Sequence, residues 1–407
     1  MRYNMVVTAK GNGMKKAVVW LGALLVGTLI GIVNISQLNV VADAVATIYT
    51  RLFQLLAVPT IVLAVITTLS TMGTGHETGR IFRRTLTYTL LTTFCAAAVG
   101  ALLYVIVNPQ PLEISASSFP SGGDSGGGYF DHILSVIPDN IVRPFLEGNV
   151  LSLLLLAFAV GIGLSRLPET EGKATLNRLL AGLQELLFLL IGWLVWTLPL
   201  GIVAFAAQLS AQLSAGVLVE SLGKYVLVVL GGNAVQFFVV LPLFLVARGL
   251  NPLHVFGSMS PAVLMALFTK SSAATLPVTM ESAETRLGVR REVARFVLPI
   301  CTTINMNGCA AFILVTSLFV MQSGGIPITF GTIFLWLLIS VVSAVGNAGV
   351  PMGCYFLTFS LMSGIGAPVA VLGLILPIYT MIDMVETAEN VWSDSCVCAM
   401  TNQDLKG

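Results

Sequence analysis

Four carboxylates lie close together near the end of the chain, after an apolar run. They are Asp383, Glu386, Glu389 and Asp394. A charged residue at the centre of a bilayer costs about 2.5–3.5 kcal/mol on the translocon insertion scale, so such residues usually have a function. At about 100° per residue, one face of a helix here collects Asp383, Glu386, Thr387, Asn390 and Asp394, while Glu389 points elsewhere. This face predicts a polar cavity, because it cannot face lipid.

The composition is that of an integral membrane protein. Of 407 residues, 56% are hydrophobic and 10% are charged, whereas soluble domains carry about 25% charged residues. Several apolar runs exceed the roughly 20 residues that a helix needs to cross a bilayer, and the alternation of barrel strands is absent. The net charge of +1 and the lack of a basic, aromatic-rich patch give no indication of nucleic-acid binding.

Three apolar segments in the second half of the chain are interrupted by helix-breaking sequences. They are 270–277 (KSSAATLP), 305–308 (NMNG) and 346–353 (GNAGVPMG). Broken helices at membrane depth occur only where they line a cavity or bind a ligand. One break alone is typical of an ordinary kinked helix. Two hairpin-like breaks in corresponding places, together with the acidic face, indicate the midplane binding site of a transporter.

The distribution of Lys and Arg predicts the orientation. With a cytoplasmic N terminus, the basic clusters at 80–84, 166–178 and 286–295 lie on one side, provided that each interrupted segment enters and leaves by the same face. The Gly-rich loop at 121–128 lacks Lys and Arg. The positive-inside rule therefore predicts an all-α integral membrane fold, with eight transmembrane helices, two re-entrant helical hairpins and both termini cytoplasmic.

Asn305, Asn390 and Asp394 offer the hard oxygen ligands that a small cation needs. His and Cys residues are not clustered near them, which argues against a transition metal. The sequence has no Walker loop and no convincing pair of nucleophile and base, so neither ATP-driven transport nor an enzyme is predicted.

These motifs resemble those of the dicarboxylate/amino acid:cation symporter family, the glutamate and neutral amino acid transporters. The resemblance covers nearly the whole chain. It is strongest in TKSSAATLPVTM at 269–280, TINMNG at 303–308, AGVP at 348–351 and D-x-x-E-T-x-x-N-x-x-x-D at 383–394. The last motif is most similar to the bacterial sodium/serine-threonine branch.

The resemblance implies an elevator-type homotrimer in the plasma membrane, the bacterial inner membrane. Scaffold helices 1 and 2 are expected in 1–82, and the external loop with scaffold helices 4 and 5 in 108–209. The transport domain is expected to contain helix 3 (83–107) and residues 210–407, which hold helix 6, hairpin 1, helix 7, hairpin 2 and helix 8.

The resemblance also implies roles for single residues. Asp383 is expected to bind the amino group of the substrate, and Asn390 its carboxylate. The full expected substrate-binding set is Ser271, Ser272, Gly349, Val350, Asp383, Glu386, Thr387 and Asn390. Sodium is the expected coupling ion, with no other cofactor, and its expected ligands are Thr92, Thr93, Thr303, Asn305, Asn390 and Asp394.

Two departures from the family pattern affect the predicted substrate and ions. Glu386 stands where members that carry acidic substrates place an Arg, and a Glu there would repel a side-chain carboxylate. Lys270 could restore an acidic pocket, although an ion pair with Glu386 is favoured. Asn307 replaces an Asp of sodium-coupled glutamate members, which leaves the sodium stoichiometry open.

The sequence predicts a secondary active symporter that imports small neutral amino acids, such as serine, threonine or alanine, with sodium. The alternative within the same fold is a glutamate or aspartate symporter coupled to sodium or protons. A channel-like or sensory membrane protein without coupled transport is a third hypothesis.

Overall fold

The structure, a computed structural model, describes most of the chain. The described residues are 19, 22–33, 35–70, 76–112, 137–147, 150–211, 215–347 and 352–405. Every regular element in these ranges is helical. The predicted all-α fold is therefore confirmed for the described residues.

The first half of the chain supplies long helices that pack side by side. Its described helices are α1 (Gly22–Val33), α2 (Ser36–Ser70), α3 (His76–Val107), α4 (Arg143–Glu147), α5 (Val150–Arg166) and α6 (Glu171–Ser210). Helix α2 packs along α5 and α6. Polar contacts add to this packing, because the Tyr49 hydroxyl donates to the carbonyl oxygen of Thr197 at 2.5 Å.

The second half contains the interrupted helices. Its described elements are α7 (Ala215–Val235), a π-helical turn (Gln236–Val240), α8 (Leu241–Ala247), α9 (Pro252–Thr269), α10 (Ser272–Thr285), α11 (Arg291–Ile304), α12 (Asn307–Ser323), α13 (Phe330–Ala344), a 3₁₀ turn (Val345–Asn347), α14 (Gly353–Gly364) and α15 (Ala370–Asp404). We refer to α9 and α10 as the first hairpin, to α11 and α12 as the broken helix, and to α13 and α14 as the second hairpin.

Two of the three predicted breaks lie within the described residues, at the predicted positions. Lys270 adopts a left-handed conformation (φ 54°) and ends α9, and the Ser271 side chain then caps α10 by accepting from the N–H of Ala274 at 3.2 Å. Between α11 and α12, Asn305 and Met306 leave the helical conformation. The break in the second hairpin includes residues outside the described part of the chain.

The core of the described fold surrounds α12. Nearly every residue of this helix is buried, and it packs against α3, α7, both helices of the second hairpin and α15. Helix α9 and helix α11 pack against α15 as well. The interrupted helices therefore surround the acidic segment of α15, as a polar cavity at that segment requires.

The lengths of the apolar helices support part of the predicted membrane topology. Within the described residues, Arg80–Val107, Glu220–Ala247 and Arg291–Ser323 are long and apolar enough to cross a bilayer. The two parts of α15, Ala370–Leu376 and Met381–Asp404, make a fourth span if they are counted together. The number of eight transmembrane helices, the re-entrant character of the hairpins and the division into scaffold and transport domains stay predictions.

Two glycines allow α1 to approach α6 closely. A Cβ atom at Gly27 would overlap the backbone at Val203, and one at Gly31 would overlap Ser210 and the carbonyl oxygen of Ala207. Small residues four apart permit this kind of close contact between apolar helices. At Gly22, on the same helix, a Cβ atom would meet nothing within 4 Å.

We expect Gly31→Ala to lower the thermal unfolding midpoint in detergent, because the added methyl group forces α1 away from α6 at a cost of about 1–3 kcal/mol. Gly22→Ala is the matched control. It should keep or raise the midpoint, since Ala is favoured over Gly in a helix by about 1 kcal/mol. Equal midpoints for the two variants would contradict the close packing.

Candidate functional site

A small polar cavity lies where both hairpins and the broken helix meet α15. Its lining residues are Lys270, Ser272, Met306, Cys309, Asn347, Asp383, Glu386, Thr387 and Asn390. The cavity has a volume of about 10 Å³, which leaves space for about one water molecule. An amino acid enters such a cavity only if a wall moves.

The four carboxylates of α15 are all buried. Asp383 is 4% exposed, and Glu386, Glu389 and Asp394 are each 1% exposed. Removing a charge from water is costly unless hydrogen bonds or opposite charges replace the water. The contacts of each carboxylate therefore indicate what the site can bind.

Asp383 connects α15 to the second hairpin. The backbone N–H of Met352, just before α14, donates to its carboxylate, and Lys270 lies near enough for its positive charge to act on Asp383. The Oδ2 atom of Asp383 has no hydrogen-bond partner among the described residues. This oxygen can accept a donor from a ligand in the cavity.

Glu386 faces the same cavity with one oxygen occupied. The Tyr379 hydroxyl donates to its Oε2 atom at 3.3 Å. Its Oε1 atom, like the Oδ2 atom of Asp383, lacks a hydrogen-bond partner in the described part of the chain. Lys270 and Glu386 both line the cavity, and a direct ion pair between them stays a prediction.

Asn390 links α15 to the start of α12. Its Oδ1 atom accepts from the backbone N–H of Gly308 at 3.0 Å, and its Nδ2 atom lies 3.4 Å from the sulfur of Cys309. The two helices are close here, because a Cβ atom at Gly308 would lie 2.7 Å from the Oε2 atom of Glu389. The same Cβ atom would lie 3.0 Å from the Cα atom of Glu386, so a larger residue at position 308 would force α12 and α15 to shift slightly.

A second polar group, which we name the oxygen cluster, lies one turn further along α15. Its members are Thr92, Thr93, Asn305, Asn307, Ser393 and Asp394, and all are buried. The Nδ2 atom of Asn305 donates to Asp394 Oδ1 at 2.8 Å and to Ser393 Oγ at 2.9 Å.

The hydroxyl groups of α3 complete the oxygen cluster. The hydroxyl of Thr92 is 2.9 Å from the carbonyl oxygen of Tyr88 in its own helix, and its oxygen also lies 3.3 and 3.4 Å from the Oδ1 atoms of Asn305 and Asn307. Thr93 donates to Asn307 Oδ1 at 2.8 Å, and Asn307 Nδ2 donates to Ser393 Oγ at 2.7 Å. The donor set is one carboxylate, two amide oxygens and three hydroxyl oxygens. It suits a hard cation such as sodium.

The remaining predicted site residues that the structure describes lie outside the cavity lining and the oxygen cluster, except Ser272, and their roles stay predictions. Thr303 is half-buried, and its hydroxyl donates to the carbonyl oxygen of Ile300 in its own helix. Its role as a ligand of a separate sodium site stays a prediction. Ser272 lines the cavity, whereas Ser271 caps α10. Gly349 and Val350 lie outside the described residues.

Three features of the site were not predicted from the sequence. Ser393 accepts from both Asn305 and Asn307, although its place next to Asp394 and one turn after Asn390 on α15 could have suggested a role. Asn347 lines the cavity. Cys309 and Cys354 form a disulfide across 45 residues, which no local pattern in the sequence indicates.

Buried carboxylates at the meeting point of interrupted apolar helices define a class of protein, the membrane transporters with a binding site inside the protein. The comparison with known families makes this specific. The model of the sodium:dicarboxylate symporter family matches residues 17–404, and the chain belongs to this family. The family consists of transporters, not enzymes, and the resemblance inferred from four motifs is confirmed.

Individual relatives agree with this assignment. The chain is 30% identical over 387 residues to the neutral amino acid transporter B(0) of Oryctolagus cuniculus, covering 85% of this chain and 70% of the relative. It is 29% identical over 388 residues to the human neutral amino acid transporter A, covering 85% and 72%. It is 28% identical over 405 residues to the putative sodium-dependent excitatory amino acid transporter glt-4 of Caenorhabditis elegans, covering 87% and 81%.

We expect Ser393→Ala to weaken sodium binding, because two buried amide N–H groups lose their shared acceptor at a cost of about 1–3 kcal/mol. The measurement is the sodium concentration that gives half of the maximal rise in melting temperature, with potassium replacing sodium at constant ionic strength. Ser395→Ala is the matched control.

Ser395 is equally buried but bonds to the carbonyl oxygen of Val391 in its own helix. Its loss should leave the sodium dependence unchanged. If Ser393→Ala and Ser395→Ala shift the sodium dependence equally, the oxygen cluster is not the cation site.

Proposed function

We propose that this chain is a sodium-coupled symporter of small neutral amino acids. Family membership supports sodium-coupled transport of amino acids, and the names of the relatives include both neutral and excitatory amino acid transporters. The chemistry of the cavity favours the neutral class. The observation that carries the proposal is the buried Glu386 in the cavity wall.

The cavity has groups for both ends of an amino acid. Asp383 Oδ2 can accept a hydrogen bond from the substrate ammonium, which also supplies a compensating positive charge. The ammonium of Lys270 and the amide of Asn390 also line the cavity and can contact the substrate carboxylate. These roles agree with those implied by the family motif.

Glu386 then meets the substrate side chain. A like charge at about 4 Å costs about 4 kcal/mol at an effective dielectric constant of about 20. An aspartate or glutamate side chain is therefore disfavoured. A hydroxyl group of serine or threonine can instead donate to Glu386 Oε1, which has no partner among the described residues.

The alternative substrate class is glutamate or aspartate, coupled to sodium or protons. Lys270 in the cavity lining is the observation that favours it, because a substrate side-chain carboxylate could pair with the ammonium. Transport of an acidic substrate without sodium, driven by a pH gradient, would support this alternative.

The mechanism that we propose follows the family resemblance. A homotrimer in the plasma membrane would hold a scaffold, against which the two hairpins, α3, α7, α8, the broken helix and α15 move together. The sodium ions would bind at the oxygen cluster and near Thr303. Because the cavity is only about 10 Å³, substrate entry requires that a hairpin first moves away from α15.

We expect proteoliposomes with this protein to accumulate labelled serine only when sodium is higher outside. Asp383→Ala should abolish the uptake, since the ammonium loses its charged acceptor. Asp139→Ala is the control, because Asp139 is exposed and pairs with Arg143, and it should transport like wild type. Saturable aspartate uptake without serine uptake would contradict the proposed substrate class.

Glu386→Gln tests the substrate class directly, because it removes the charge and keeps the shape. We expect unlabelled aspartate to inhibit serine uptake by this variant at least about tenfold more strongly than in wild type, which corresponds to about 1.4 kcal/mol. Glu386→Arg should increase the inhibition further. The same inhibition constant in wild type and in both variants would show that Glu386 does not select the substrate.

A further inference from the structure

The disulfide between Cys309 and Cys354 joins two helices that each begin just after a helix break. Cys309 lies in the first turn of α12, and Cys354 lies in the first turn of α14 in the second hairpin. Their Cα atoms are 5.5 Å apart, a normal separation for a disulfide. The bond therefore connects the broken helix to the second hairpin beside the cavity.

The sulfur atoms have polar neighbours from the cavity wall. The Nδ2 atom of Asn347 lies 2.9 Å from the sulfur of Cys309 and 3.2 Å from that of Cys354. A carboxylate oxygen of Glu386 lies within 4.8 Å of both sulfurs. Cys309 itself lines the cavity. Cys309 is thus part of the cavity wall, and Cys354 lies directly behind it in the core.

We propose that this cysteine pair is a redox-reversible lock on the second hairpin. The disulfide holds α14 against α12 and keeps the cavity closed, whereas the reduced pair lets the hairpin open. The inference rests on the proposed function to the extent that opening admits an amino acid. It is distinct from that function, because it concerns the movement of the hairpin whatever the substrate is.

Geometry explains why the bond would restrict opening. A disulfide keeps its two Cα atoms within about 4.4–6.8 Å, so α14 cannot move away from α12 at this point while the bond is intact. Met352, two residues before Cys354, donates its backbone N–H to Asp383. The disulfide therefore holds in place the start of α14, the segment that contacts Asp383, which is the proposed ligand of the substrate ammonium.

The reaction is a thiol–disulfide exchange with a small-molecule disulfide as the oxidant. The two cysteine thiols lose two protons and two electrons and form one S–S bond. The small disulfide is cleaved and takes up both electrons and both protons as two thiols. A small dithiol reverses the reaction and becomes a disulfide itself.

Access to the sulfurs depends on hairpin movement. Cys309 is 2% exposed and Cys354 is 1% exposed, so exchange requires a transient opening of the cavity. In the proposed transport cycle the cavity opens alternately to the reducing cytoplasm and to the more oxidising exterior. The cysteine pair would then respond to the redox state on both sides of the membrane.

The direct test compares purified protein after treatment with oxidised glutathione and with dithiothreitol. Non-reducing peptide mapping quantifies the bond between residues 309 and 354. Hydrogen exchange then follows the backbone amides of α14, a readout that needs no substrate. We expect slow exchange in the oxidised protein and faster exchange in the reduced protein, while the amides of α6 stay unchanged.

Uptake provides the second readout. Serine uptake should fall to the background of protein-free liposomes after oxidation and return after reduction. Cys354→Ser, with Cys354→Ala as a second variant, should give the same uptake under both treatments. Cys398→Ser is the control, since Cys398 is also buried but has a free thiol, and it should respond like wild type.

The outcomes separate this proposal from the proposed function. Equal hydrogen exchange of α14 in fully oxidised and fully reduced protein would overturn the lock. So would complete alkylation of residues 309 and 354 in unfolded protein that was treated only with the oxidant. If exchange of α14 responds to reduction but amino acid uptake is absent in every state, the lock stands and the transport proposal fails.

Discussion

The burial of four carboxylates in one helix is the constraint on which the structure depends. Each of these groups is almost inaccessible to solvent, and an uncompensated charge in such a place is costly. Interrupted helices supply polar backbone groups that a continuous helix would use internally. Met352 donates its N–H to Asp383, and Gly308 donates its N–H to Asn390. The breaks in the second hairpin and in the broken helix therefore supply polar contacts to α15, while both carboxylate oxygens of Glu389 have no hydrogen-bond partner among the described residues.

The broken helix and α15 contribute residues to both the cavity and the oxygen cluster. Asn390 reaches the first turn of α12, and Ser393, one turn later, reaches Asn305 and Asn307 at the helix break. A cation that draws Asn305 and Asp394 together would also fix the position of α12 relative to α15. That relative position sets the shape of the cavity next to Asn390. Sodium and substrate would therefore favour the same arrangement of α12 and α15, which is a physical basis for coupling.

The sequence predicts the parts of this site that follow from local rules. The helical period places Asp383, Glu386 and Asn390 on one face, and the Lys-Ser-Ser segment contains its own helix end and cap. It does not predict contacts that depend on how distant helices pack. The pairing of Cys309 with Cys354 and the position of Asn347 beside their sulfurs need the second hairpin to lie on α12. Thr303 belongs to a matched motif, and its role as a sodium ligand stays a prediction, because its hydroxyl contacts only the carbonyl oxygen of Ile300 among the hydrogen bonds of the described residues.

Coupling between sodium and substrate can be measured as the mutual dependence of serine and sodium binding to purified protein in detergent. Serine is titrated by calorimetry at several sodium concentrations, and aspartate is the competing ligand. These titrations measure how each ligand changes the affinity for the other. We expect that sodium tightens serine binding, that serine tightens sodium binding by the same factor, and that aspartate binds more weakly than serine. Equal serine affinity in sodium and in potassium would contradict sodium coupling. A higher affinity for aspartate than for serine would contradict the proposed neutral substrate class.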